Sequence, residues 1–165
     1  MCAAAFAAVF AAASAKYSLS MSEPMPTTTP ATPTTPAEVV DEFLRLIMIP
    51  DPVAARRYAA SGMRIRFTGG RAMGDPTECT AFNKARYKWV KKRIERTETV
   101  SGGSPDGETV VYSLGTLYGE WPDGTPFEGN RFVDRYVVKT GRITDMDVWN
   151  DSAEWMLVRA GLAAL

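Results

Sequence analysis

The sequence predicts an α+β domain in which a curved antiparallel sheet is wrapped by N-terminal helices into a cone-shaped pocket. Three observations predict it. Helical spacing of apolar residues is concentrated in the first half of the domain, whereas the second half alternates with a period of two. The long alternating segments end in strong turn signals, Pro122-Asp123-Gly124 and Thr140-Gly141. Both faces of those segments carry apolar residues, so helices must cover one face and something else the other.

Residues 1–36 read as a disordered or cleavable Ala/Pro/Thr-rich tail, and 37–165 as the domain. Met1 to Ala15 is Ala-rich, and Ala13-Ser14-Ala15 fits a small-x-small cleavage site. No Lys or Arg precedes the apolar run, however. Two readings stay open, a weak signal peptide or a start placed too early with Met21 or Met25 as the true initiator, and the location expected is cytoplasmic. Pro36 opens the first helix, where Val39, Val40, Phe43, Leu44 and Ile47 share one stripe. Asp51-Pro52 reads as N-cap and first position of a second short helix through Tyr58. Met63 to Thr68 reads as a strand with Met63, Ile65 and Phe67 on one face and Arg64 and Arg66 on the other. Gly69-Gly70 is a loop, and Asp75-Pro76 caps a third helix. Strands are expected over 90–101, 109–121, 127–139 and 142–150, with a turn cluster from Ser101 to Gly107. A short apolar helix is expected in 152–165.

Composition narrows the chemistry. Lys+Arg and Asp+Glu both number 19 in the 165 residues, so no electrostatic case arises for nucleic acid or an anionic membrane. The two cysteines, Cys2 and Cys79, form no metal-ligand spacing, and Cys79 reads as a buried small hydrophobe. Histidine is absent, which excludes Ser-His-Asp and Cys-His hydrolases. Proton transfer must then rest on carboxylates, Tyr, Lys or Cys, and neither a metal nor an organic cofactor is expected. The basic run Arg86, Lys88, Lys91, Lys92, Arg93 and Arg96 reads as a solvated helix end leading into an edge strand.

The order of elements, with Tyr58-Ala59-Ala60, Met63-Arg64-Ile65-Arg66-Phe67, the small-residue loop Gly69 to Gly74 and Lys139-Thr140-Gly141-Arg142-Ile143 running into Asp145-Met146-Asp147-Val148-Trp149-Asn150, resembles the SnoaL-like branch of the nuclear transport factor 2-like superfamily. The resemblance covers residues 37–160 and implies a cystatin-like α+β barrel with an apolar pocket. It implies Asp147 as the position of a catalytic carboxylate, since phenazine-biosynthesis relatives carry a Glu three residues before the matching Asn, and limonene epoxide hydrolases place an Asp on this strand. The rest of the hydrolase machinery does not carry over: Gly115 and Leu117 stand where it uses an Arg and a second Asp. The steroid-isomerase base would fall at Arg66 and Phe67, and scytalone-type dehydratases need histidines.

Strand parity places Ser113, Gly115, Leu117 and Gly119 inward, with Asn130, Phe132, Asp134 and Tyr136, and Asp145, Asp147 and Trp149 beside them. Gly115 and Gly119 either leave room for a ligand or mark bends. If Thr140-Gly141 are the central turn residues, Asp134 opposes Asp147, Tyr136 opposes Asp145, and Phe132 opposes Trp149. Two opposed carboxylates on an apolar face would not both ionise, leaving an acid beside a base. The alternatives are that Arg66 neutralises the pair as structure, or that a bulge shifts the register. Asp147 and Asp134 are therefore the catalytic candidates. The pocket candidates are Trp149, Phe132, Asn130, Leu117, Gly115, Tyr136, Asp145 and Phe67. The expected ligand is a small apolar or polycyclic molecule. The expected chemistry is cofactor-free isomerisation, cyclisation, dehydration or a lyase step. A non-catalytic binding protein and a subunit-assembly module with a filled cone are the rival readings. Tyr112, Leu114, Tyr118, Val133, Val137 and Val148 are assigned to the outer face, which implies a homodimer.

Overall fold

The computed structural model describes residues 32–101 and 107–164; most of the expected tail and most of the Ser101–Gly107 turn lie outside them. Among the described residues, four helices pack on a six-stranded curved sheet that does not close. The elements are α1 (Pro36–Met48), α2 (Pro52–Ala55) followed by a 3-10 turn (Arg56–Tyr58), β1 (Ala59–Phe67), β2 (Ala72–Met73), α3 (Pro76–Arg86), β3 (Trp89–Ser101), β4 (Thr109–Glu120), β5 (Pro126–Lys139), β6 (Arg142–Asn150) and α4 (Ser152–Arg159). The strand order is β2-β1-β6-β5-β4-β3. No helix among the described residues is long and apolar enough to cross a membrane.

Helix α1 begins at a capping box. The Thr35 side chain accepts from the Glu38 N–H at 3.2 Å, and the Glu38 carboxylate accepts from the Thr35 N–H at 2.9 Å. Its stripe of Val39, Val40, Phe43 and Leu44 is buried against the concave face of the sheet, whose core residues include Ile65, Val111 and Tyr136. The threonines just before Pro36 are thus part of the domain rather than of the expected tail.

Two strand features differ from expectation. β1 starts at Ala59, directly after the 3-10 turn, and runs parallel to β6, whereas the rest of the sheet is antiparallel. A two-residue strand, β2, then folds back on β1 through the Gly69-Gly70 turn, where both glycines have positive φ.

The last hairpin turns on Thr140 and Gly141, with φ of 48° and 71°, the geometry that a right-twisted two-residue hairpin needs. Lys139 pairs with Arg142 and Val138 with Ile143. The ladder then slips: Val137 pairs with Asp145, leaving Thr144 as an extra residue whose hydroxyl donates to the Val137 carbonyl at 3.3 Å. This β-bulge resets the parity of β6. Beyond it Tyr136 pairs with Met146, Asp134 with Val148 and Phe132 with Asn150. Met146 and Val148 therefore join the core, and Asp145, Asp147 and Trp149 turn to the outer face. The expected pairings of Asp134 with Asp147, Tyr136 with Asp145 and Phe132 with Trp149 are each replaced. Val148 likewise moves from the outer to the inner face.

Gly115 and Gly119 mark close approach. A Cβ at Gly115 would collide with the Arg93 carbonyl oxygen, and one at Gly119 with that of Trp89. The ladder between β3 and β4 slips between Ile94 and Arg96, opposite Gly115. Of the two readings of these glycines, the bend is the one their surroundings fit.

Candidate functional site

A cavity of about 650 Å³ opens between the C-terminal end of α1, helix α3 and the concave face. Its volume falls within the range of small-molecule sites. Leu44, Ile47 and Met48 line it from α1, and Cys79 and Asn83 from α3. From the sheet come Phe67, Leu117 and Val148, with Lys92 and Asn150 as polar groups. Each wall follows from local pattern: α1 presents its apolar stripe, β1 its inward-facing last residue Phe67, and β6 the residues that the Thr144 bulge turns inward.

The one charged group set deep in this lining is Lys92, whose side chain is only 14% exposed. On β3 it alternates inward with Val90, while Lys91 and Arg93 pair with outward-facing Tyr118 and Thr116. Its ammonium forms an ion pair with Asp134 Oδ2 and lies 3.9 Å from the centroid of the Phe132 ring. Asp134 is completely buried, and the Tyr136 hydroxyl donates to the same Oδ2 at 2.9 Å. Burial, and next the Asp134 carboxylate, push the Tyr136 phenol well above its usual range, so it remains a donor. Ser113, paired directly with Asp134 across β4 and β5, is also buried. The result is a chain of polar groups, Tyr136 to Asp134 to Lys92, that ends at the cavity wall.

Cys79 also faces the cavity. Burial pushes its thiol up to about 12, so it is protonated near neutral pH and is no nucleophile. Among the described residues no cluster of three or more His, Cys, Asp or Glu could hold a metal ion.

Of the expected site residues, Leu117 and Phe67 line the cavity, Phe132 lies beneath Lys92, and Asp134 and Tyr136 form the support behind it. Asn130 is buried but donates to Ser152 Oγ at 3.3 Å, tying down α4. Gly115 is not part of the lining. Asp147, Asp145 and Trp149 lie on the other face. Asp147 accepts from Arg66 Nε at 2.6 Å and from Arg135 at 3.2 Å, and Asp145 accepts from Arg64 Nε at 2.9 Å. Trp149 is 48% exposed. The proposed carboxylate pair is therefore separated by the sheet itself.

Sequence reasoning missed Lys92, which it grouped with a solvated basic run. Two signals could have found it. The alternation Val90-Lys91-Lys92-Arg93-Ile94 puts Lys92 on the apolar face, and an inward Asp134 requires a cationic partner.

No family model matches the chain, and no curated protein matches it. Solved structures do. An NTF2-like protein of unknown function from Burkholderia pseudomallei superposes with a TM-score of 0.59 at 18% identity, covering 73% of this chain and 93% of that one. A hypothetical protein with a ketosteroid isomerase-like fold from Catenulispora acidiphila, in complex with trimethylamine, gives 0.58 at 18% identity, covering 79% and 96%. A protein described as a SnoaL-like polyketide cyclase, from Jannaschia, gives 0.53 at 17%, covering 82% and 100%. The fold is therefore that of the nuclear transport factor 2-like superfamily, a cone-like α+β architecture that SnoaL-like and ketosteroid isomerase-like proteins share.

Proposed function

We propose that this chain binds a small apolar, ring-sized molecule in the cone and acts on it by cofactor-free proton-transfer chemistry, as an isomerase, cyclase, dehydratase or lyase of the SnoaL-like kind. The observation that carries this reading is Lys92, a charged group held at the wall of an otherwise largely apolar cavity by Asp134 and Tyr136. In low-dielectric surroundings an ammonium stabilises negative charge developing on a carbonyl or phenolic oxygen. Lys92 would hold that oxygen and stabilise the charge developing on it, and Asp134 would position Lys92. Asp147 has no part in this chemistry.

The described lining holds no carboxylate to accept a proton, and that observation favours a second reading, a binding protein without turnover. Both are tested with a panel of aromatic enols, phenols and enones, following quenching of tryptophan emission from Trp89 at the mouth. Lys92→Met combined with Asp134→Asn removes both charges and leaves Tyr136 an acceptor. The pair should keep the fold and lose affinity for ligands with an acceptor oxygen. Unchanged affinity would remove Lys92 from the site, and binding without conversion of any ligand would favour the second reading.

The outer face is proposed to cover itself with a second copy of the chain. Leu114, Val133 and Trp149 pair in one row across β4, β5 and β6, and Val133 and Trp149 are 37% and 48% exposed. Val133→Glu should lower the sedimentation coefficient at micromolar concentration. A wild-type monomer at that concentration would end the proposal.

A further inference from the structure

The charge around this cavity is one-sided. The chain as a whole has equal numbers of acids and bases. The cavity and its mouth, however, draw on Lys84, Lys88, Lys91 and Lys92, and no Asp or Glu is part of the lining. Two of the four are compensated: Lys92 by Asp134 behind it, and Lys88 by Glu120 at 2.8 Å. Lys84, in the last turn of α3, and Lys91, at the start of β3, are exposed and have no acidic partner among the described residues. Elsewhere on the surface several bases are paired with acids, although Arg71, Arg86 and Arg93 lie over aromatic rings instead. Arg45 pairs with Glu42, Arg56 with Asp75, Arg131 with Asp151 and Arg159 with Asp123.

The other part of the mouth is apolar. Ile47, Met48, Ile49 and Pro50 supply it from the end of α1, and Ile49 is 53% exposed. An apolar interior with an apolar lip and a basic lip is complementary to a molecule with the reverse polarity, apolar in the body and anionic at one end.

We propose that the ligand is an amphiphilic anion. Its apolar body fills the cone, and a carboxylate, phosphate or sulfonate rests at the rim against Lys84 and Lys91. The inference rests on the pocket reading above and adds the chemical class of the ligand. Lys92 deals with an oxygen inside the cavity, whereas the rim lysines hold a permanent charge outside it.

The test uses two fluorescent probes with one ring body, anilinonaphthalene sulfonate and its neutral parent N-phenylnaphthylamine, titrated into the full chain. The sulfonate should displace the neutral dye and bind roughly fivefold to tenfold more tightly at low salt, an advantage that shrinks as salt rises. Lys84→Glu with Lys91→Glu, both at exposed positions, should remove that advantage while leaving the neutral dye's affinity within about twofold. Equal, salt-independent binding of the two dyes would overturn the anion proposal and leave the pocket intact. So would an unchanged preference in the double variant. Binding of neither dye would overturn the pocket reading itself. A sulfonate that binds without displacing the neutral dye is seated elsewhere and also counts against the proposal.

Discussion

Asp134 and Asp147 lie on neighbouring strands of one sheet, and both are buried beside cationic side chains, yet they lie on opposite faces and their partners differ in exposure. Asp134 is wholly buried on the concave side, with one lysine and one phenol as partners. Asp147, on the outer side, is also buried, but its partners Arg66, half exposed, and Arg135 reach water. Removing a partner from a buried charge leaves it with no solvent to replace that partner, whereas an arginine that reaches water is resolvated when its carboxylate is removed. Position on the sheet, more than residue type, thus decides what each carboxylate contributes.

The largest effect expected from this contrast is at the inner pair. Lys92→Met or Asp134→Ala alone should destabilise the fold by about 3–5 kcal/mol, because either leaves one buried charge uncompensated. The combined Lys92→Met and Asp134→Asn change should recover most of that loss in urea unfolding. A double variant as unstable as the singles would show that Lys92 and Asp134 do not act as a pair.

Next comes the parity set by the bulge. Val148 is 4% exposed in the core and Trp149 is 48% exposed outside it. Val148→Ala should cost about 2 kcal/mol through lost burial and the space left behind. Trp149→Ala, although it deletes far more side chain, should cost the single subunit less and act mainly on association. The reverse order would restore the register in which Trp149 faces inward.

At the outer carboxylate, Asp147→Asn should cost less than either inner single change, since Asp147 is buried but Arg66 and Arg135 both reach water. It should leave ligand affinity unchanged, in contrast to any change at Lys92. A large loss of binding with the fold intact would return Asp147 to the site.

These cases show which parts of the molecule local pattern encodes. The stripe of α1, the Asp51 and Asp75 caps and the Thr140-Gly141 turn each rest on residues within a few positions of one another, and all were legible. The bulge was less so, because Thr144 carries no special signature. Its trace is in the spacing Ile143, Met146, Val148. Strict alternation from Ile143 would turn Asp145 and Asp147 toward the concave core, whereas one extra residue turns Met146 and Val148 there instead. The parallel pairing of β1 with β6 and the inward turn of Lys92 depend on partners distant in the sequence, so they emerge only once the sheet is assembled. The fold was therefore readable almost in full. The site was only half readable, since one register slip moved its leading candidate to the far side.

A third carboxylate extends the contrast to full exposure. Glu38 is at the surface, yet its pKa is lowered from the usual 4.5 to about 2. The N–H groups of Thr34 and Thr35 are the largest cause, and the Thr34 hydroxyl adds to it. Backbone donors at a helix start thus favour the ionised form of an exposed acid. Because the folded-state pKa is depressed, the stabilisation is complete above the unfolded value of 4.5 and is lost as pH falls through about 2. Glu38→Gln should therefore lower the thermal midpoint most at about pH 6, and the gap to wild type should narrow as the medium is acidified. Thr35→Ala should cost about 1 kcal/mol by removing the reciprocal acceptor. A chain begun at Pro36 lacks both threonines and should behave like that variant, whereas one begun at Thr32 should match the full-length protein. A Glu38→Gln gap that stays constant with pH would mean that the cap stabilises through hydrogen bonding alone, with no contribution from the charge.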